Sequence, residues 1–239
     1  MLLPALRNPV LLAHQVATLD QASEGRLILG IGIATDVPSI RAEFRAVGVP
    51  FEKRVGRMNE GLRLARALWQ GQAVDWDGLW QVEGGVLAPT PHRPGGPPLW
   101  LGGGVLAARQ RAGRHYDGWF PNGVDPATFK EQMAEVRQAA TDAGRDGDAL
   151  TAAFYLTVAI DDDPAAADAR VDDYLERYYG QRPDIIRKRQ LAYGGPLAGL
   201  AELLAAYAEA GVEHMVLRLV GEHEPLLEGI AGVRAELGW

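Results

Sequence analysis

The sequence predicts an α/β protein built on a parallel sheet with right-handed helical crossovers, either an open doubly wound sheet or a barrel. Three observations carry this prediction. Runs such as 26–33 and 99–101 are apolar on both faces, as strands buried between two layers must be. Stretches with apolar residues at helical spacing separate those runs, and several open on a capping residue followed by proline: Asn8-Pro9, Asp125-Pro126 and Asp163-Pro164. The 29 glycines and 15 prolines are scattered among short turns and form no linker, so residues 1–239 are expected to make one domain.

In chain order, a helix starts at Asn8-Pro9, carries Leu12, Val16 and Leu19 on one stripe and stops near Gly25. The strand 26–33 follows. Val55, Met58, Leu62, Ala65 and Trp69 mark a second helix that ends at Gly71, a residue suited to a C-terminal cap. Asp77-Gly78, flanked by Trp76 and Trp80, predicts a hairpin turn, and a proline-rich stretch from Pro89 to Pro98 leads into the strand 99–101. Residues 105–115 read as a helix and 118–120 as a buried strand, after which Asp125-Pro126 opens a helix bearing Phe129, Met133 and Val136. Residues 150–160 are a β-branched and aromatic strand; Asp163-Pro164 opens a helix to about Tyr178, and Gly195-Pro196 opens another to Gly211. Residues 215–220 form the last strand and 224–237 the last helix. Ahead of the Gly195-Pro196 helix lies one basic cluster, 181–195, read as a solvated loop or a basic lid.

The charge balance narrows the function classes. With 24 basic against 31 acidic residues, a net charge of -7 and both signs mixed along the chain, there is no basic stripe for a nucleic-acid partner. No apolar run approaches the roughly 20 residues of a membrane span, and residues 1–8 lack the features of a signal peptide. The absence of cysteine excludes disulfides, thiolate metal sites and a cysteine nucleophile, and a cytoplasmic location is expected. None of the five histidines has metal-ligand spacing with another histidine or a carboxylate, so no metal site is expected.

Several stretches, in order and spacing, resemble the luciferase-like monooxygenase family of flavin- and deazaflavin-dependent (β/α)8 enzymes. They are Leu6-Arg7-Asn8-Pro9-Val10-Leu11-Leu12-Ala13, Ala17-Thr18-Leu19-Asp20, Gly25 to Gly32, Glu43-Phe44, Gly48 to Arg54, Leu99 to Gly104, and Asp117-Gly118-Trp119-Phe120-Pro121. The resemblance implies a TIM-barrel type fold, here N-terminally shortened to about six strands, because the family's Arg-Asn-Pro segment follows its third strand and here stands a few residues from Met1. It also implies that the family's usual catalytic histidine, on the second strand, has no counterpart.

Functional groups of a parallel barrel gather at the C-terminal ends of its strands. The resemblance implies that Gly102, Gly103 and Gly104, between a strand and a helix, hold a cofactor phosphate; the other reading is a tight turn that only needs glycine. Gly32, Ile33 and Ala34 would let a flat ring approach the backbone, and Asp36 is a candidate general acid or base or else a turn cap. Trp119 and Asn122 end the next strand as ring contacts or as core and turn residues. Arg218, in an apolar strand, either meets an anionic group or pairs with a helix carboxylate. Arg54, Arg57 and Glu60 are expected to form an ion-pair set within their helix, and the hairpin to be a structural cover.

The expected function is therefore an oxidoreductase using FMN or F420 on a small organic substrate, the protein orienting the cofactor. Arginine makes up 21 of the 24 basic residues, which suggests a GC-rich genome and leans slightly toward F420. The alternatives are a non-catalytic flavin-binding or degenerate member, or a fragment of a longer enzyme. Sheet edges near residues 1–6 and 215–220 need covering, so a homo-oligomer, most simply a dimer, is expected.

Overall fold

Asn8 begins the first helix as its side chain predicts. Its side-chain oxygen accepts from the backbone N–H groups of Val10 (2.9 Å) and Leu11 (3.2 Å), with Pro9 in the first turn. The computed structural model describes residues 1–238, which fall into two compact units, one spanning Met1–Gly102 and the other starting at Gly103.

In the first unit, α1 (Pro9–Ala22) is followed by β1 (Leu29–Ile31), α2 (Pro38–Ala46), α3 (Arg54–Leu68), a hairpin of β2 (Val74–Asp77) and β3 (Gln81–Gly85), and β4 (Leu99–Leu101). β1 and β4 are parallel, Leu29 opposite Leu99 and Ile31 opposite Leu101. On the other edge of β1 the strand expected near Met1 is reduced to one bridge. The Leu2 N–H donates to the Gly30 carbonyl and the Gly32 N–H to the Leu2 carbonyl, both at 2.8 Å. Met58, Leu62, Ala65 and Trp69 are buried as their spacing predicts, Val55 is only half-buried, and Leu64 and Leu68, outside the expected stripe, are buried as well. Sequence reading missed α2, although Ile40 and Phe44 stand one turn apart on it; in nine residues that stripe is only two positions long, and Phe44 alone is buried.

Arg54, Arg57 and Glu60 are not an ion-pair set within α3. Arg57 Nε donates to the Ala5 carbonyl (2.8 Å) and its guanidinium lies 4.7 Å from the Trp80 ring centroid, while Arg54 stacks on Phe51. The Glu60 carboxylate accepts from Leu79 N–H (2.6 Å) and Trp76 Nε1 (3.4 Å). These long side chains reach backbone groups and a ring of the hairpin and the N-terminal turn, while ion pairs between exposed charges on one helix would contribute little. The hairpin is thus fastened to α3 as a cover.

The second unit contains α4 (Leu106–His115), β5 (Gly118–Trp119), α5 (Pro126–Thr141), β6 (Thr151–Ile160), α6 (Pro164–Tyr179), α7 (Pro183–Ile186), β7 (Ala192–Gly195), α8 (Leu197–Glu209), β8 (His214–Leu219) and α9 (His223–Glu236). All of its strand pairings are parallel. β8 pairs along one edge of β6 from Ala153–His214 to Val158–Leu219. β5 pairs with the start of the opposite edge at Thr151 and Ala152, and β7 takes its far end from Thr157 to Ile160.

β7 corrects the expectation of a loop at 181–195. In Ala192-Tyr193-Gly194-Gly195 only Tyr193 favours a strand, and the alanine and glycines disfavour one. It is ordered because the ten-residue β6 outruns β5 and leaves backbone groups that must be paired. Arg187, from the supposed basic loop, is committed to α6, donating to Asp172 (2.6 Å) and Asp168 (3.0 Å). The core of this unit gathers where Phe154 of β6 stacks on Tyr207 of α8, with Phe129 of α5 edge-on to Tyr207 and stacked on Trp119.

Candidate functional site

In the first unit β1 and β4 end side by side: the Gly102 N–H donates to the Ile31 carbonyl at 2.9 Å, and Gly32 and Gly102 are both buried. The chain leaving β1 is strained. Ala34 sits at φ 76, a left-handed conformation that costs a Cβ-bearing residue about 1–2 kcal/mol. Asp36, two residues on, is exposed and held by Arg41, whose Nε and Nη2 donate to its two oxygens at 2.6 and 2.9 Å; Arg41 Nη1 also donates to Glu52 (2.8 Å). These charge-assisted hydrogen bonds hold the Asp36 carboxyl below the usual carboxylate range. Asp36 is therefore ionised at neutral pH and accepts protons only weakly. Nor is it a helix cap, since the N-cap of α2 is Val37, with no side-chain hydrogen bond.

In the second unit Gly103 and Gly104 lead into α4. Gly103 has φ 114, and a Cβ there would lie 3.0 Å from that of Ala108, so the position requires glycine; at Gly104 a Cβ would meet nothing within 4 Å. Both carbonyls are turned away and engaged. Trp119 Nε1 donates to Gly103 O at 2.9 Å, and Arg109 Nη1 donates to Gly104 O. α4 has Val105 as its N-cap without a side-chain hydrogen bond, and Gly103 to Ala107 are exposed. The first-turn N–H groups have no partner within the helix and lie at the positive end of a ten-residue helix, the arrangement that suits an anionic oxygen cluster.

Trp119 resolves the choice posed by its sequence position. It is fully buried core and at the same time the donor that fixes the Gly103 carbonyl, so packing of β5 sets the shape of the turn. Asn122 is exposed at the end of β5, joined to Tyr155 of β6 by a backbone bridge. His223 is exposed at the start of α9. Among the described residues no group of three or more His, Asp or Glu could hold a metal ion.

Arg218 of β8 has no carboxylate partner among the described residues. Its Nη1 donates to Tyr179 OH (3.0 Å), and its guanidinium lies 4.5 Å from the Tyr178 ring centroid, 5.1 Å from Tyr155 and 5.9 Å from Tyr174. Burial pushes the Tyr155 phenol up to about 12, although the Arg218 charge opposes the shift, so its hydroxyl stays protonated. Sequence reading singled out Arg218 but missed its tyrosines. Their signal was Tyr174, Tyr178 and Tyr179 on one helix, with 174 and 178 one turn apart.

The luciferase-like monooxygenase family model matches residues 1–238. A phthiodiolone/phenolphthiodiolone dimycocerosates ketoreductase of Mycobacterium sp. (strain JLS) is 32% identical over 178 residues, 73% of this chain and 46% of the relative. An F420-dependent glucose-6-phosphate dehydrogenase of Mycolicibacterium smegmatis is 31% identical over 170 residues, 70% and 50% of the two. The chain thus spans about half the length of these curated relatives. Among solved structures, an F420-dependent secondary alcohol dehydrogenase superposes with a TM-score of 0.75 at 20% identity over 92% of this chain and 72% of that one. A monooxygenase from Streptomyces bottropensis gives 0.74 at 20% identity over 97% and 73%. These likenesses show the fold, that of the luciferase-like TIM-barrel enzymes, and together with the match along the described chain they settle its kinship: the protein belongs to the luciferase-like monooxygenase family.

Proposed function

We propose that the protein is an oxidoreductase that binds F420 or FMN and acts on a small organic substrate. One observation carries the reading: the exposed Gly103-Gly104 turn, whose carbonyls are tied back by Trp119 and Arg109, opens α4, a helix whose N-terminus has no side-chain cap. This fits a phosphate group, so Gly103 and Gly104 would hold the cofactor phosphate. In the second unit Asn122 is assigned as a further cofactor contact; for Gly32, Ile33, Ala34 and Gly102 of the first unit the assignment is only the one the resemblance implies. When bound, the cofactor supplies the hydride or electron chemistry. The residues of this chain orient it, and Asp36, kept ionised by Arg41, is the candidate general base that the resemblance implies. The relatives named as F420-dependent enzymes support F420 over FMN.

Residues 1–239 are read as one luciferase-like domain, supported by a family match that runs through both units. We also infer a cytoplasmic homodimer. The far edge of β8 pairs with no described strand, and a groove of about 580 Å³ lined by Leu204, Val212, Met215, Leu217, Ile230 and Val233 lies beside it. Among the described residues no helix is long and apolar enough to cross a membrane.

Absorbance or fluorescence titration with F420 and FMN tests the reading. Micromolar binding of one of them is expected, weakened about tenfold or more in Gly104→Ala (about 1.4 kcal/mol) with unchanged thermal stability. Gly103→Ala should instead destabilise the fold by more than about 1 kcal/mol, the cost of a left-handed side chain. Failure of both cofactors to bind would overturn the proposal. Binding without turnover under a reductant would support the second reading, a non-catalytic binder, which the engagement of Asp36 by Arg41 favours.

A further inference from the structure

Two hydroxyls in the second unit, Tyr155 Oη and Thr157 Oγ1, are buried beside one another with no hydrogen-bond partner beyond that pair. Thr157 is fully buried. They stand two residues apart on β6 and so share one face of the strand. The opposite face carries Phe154, which packs on Tyr207 of α8. Thr157 lies directly opposite Arg218 in the β6–β8 register, which puts the guanidinium on the same face as both hydroxyls. Arg218 is half-buried, makes one hydrogen bond, to Tyr179 OH, and forms no ion pair with the described residues.

Such an arrangement is costly for folding alone. A buried hydroxyl without a partner costs about 1–3 kcal/mol, and a half-buried cation is normally met by a carboxylate. Aromatic rings hold the guanidinium in place but accept none of its in-plane N–H groups. The cation offers a planar donor fork, and the two hydroxyls offer donors beside it. Donors without acceptors, gathered around a positive charge, match a group that is all acceptor and negatively charged.

We propose that Arg218, Tyr155 and Thr157 form an oxyanion subsite, receiving a carboxylate or phosphate group of a small-molecule ligand. Tyr174, Tyr178 and Tyr179 position the guanidinium and shield it from water. Assigning this anion to the substrate of the oxidoreductase rests on the reading above; the binding of an oxyanion does not.

The test is calorimetric titration of the whole chain, without cofactor, using inorganic phosphate and acetate separately at low ionic strength. Saturable binding of at least one is expected, and the tighter of the two identifies the group. Arg218→Met should abolish it, Arg218→Lys should retain part of it, and Thr157→Val should weaken it severalfold while raising the melting temperature, because a buried hydroxyl with no partner beyond Tyr155 is removed. A merely structural role would not couple weaker binding to greater stability. No saturable binding of either anion, or equal binding by Arg218→Met, would overturn the subsite. Cofactor titration of the same Arg218→Met protein keeps the two readings apart: loss of oxyanion binding with intact F420 or FMN binding sinks neither, whereas no cofactor binding by wild type sinks only the enzyme.

Discussion

Asp36 and its neighbours show how a single side chain can be legible as a candidate and still have its state decided by which nearby charge the folded backbone turns toward it. Nothing near Asp36 in the sequence says that Arg41, on the next helix, will grip both of its oxygens or that the same arginine will reach Glu52. The consequence is titrimetric. Asp36 and Glu52 both have folded-state pKa values below their ordinary ones, so what they add to stability is present above about pH 4 and is lost as the pH falls through the lowered values. Both are solvent-exposed, so the effect on stability is small. Carboxyl-resolved NMR titration should give Asp36 a midpoint below that of a free aspartate, and Arg41→Met should raise it toward the ordinary value. An unchanged midpoint in that variant would refute the assigned cause.

At the scale of elements, α4 and α5 pack so closely that one position tolerates no side chain. A Cβ on Gly113 would collide with the Val136 carbonyl and would approach Ala140 N to 2.8 Å and the Ala139 Cβ to 2.9 Å. Backbone cannot step aside as a flexible side chain can. Gly113→Ala should therefore cost about 2–3 kcal/mol in chemical denaturation, the upper part of the overpacking range. An effect below 0.5 kcal/mol, the scatter of about that size seen for neutral surface changes, would mean that the helices are less tightly apposed. The elements that were readable in the sequence were those with their own signals: the Asn8, Asp125 and Asp163 caps all accept hydrogen bonds from the first turn of the helices they were expected to open. The elements that were not readable, α2 and β7, owe their order to a single buried phenylalanine and to free backbone on β6.

For the whole molecule, the open edge of β8 makes association the testable consequence. Light scattering after gel filtration should give a mass near twice 25.8 kDa, and charges placed on the apolar groove, as in Met215→Glu with Leu217→Glu, should shift it toward one chain. A wild-type monomer at tens of micromolar would remove the dimer from the proposal. The family could be read from the ordered motifs between Leu6 and Pro121 because each is a local constraint: a glycine where a strand meets a helix, a proline after a cap, an apolar strand. The same locality explains the division at the candidate site, where Gly102, Gly103 and Gly104 were visible and the tyrosines around Arg218 were not.

The sequence by itself determined the alternation of strands and helices, the caps, the glycine turn and the family, since these depend on spacing within a few residues. Tertiary structure alone decided that Trp119 shapes the glycine turn and that Arg218 faces tyrosines and two buried hydroxyls instead of a carboxylate. The physical reason is distance along the chain. Trp119 and Gly103 are 16 residues apart, Arg218 and Tyr179 39, and only the register of parallel strands, set by burial of both sheet faces, brings such residues within hydrogen-bond reach.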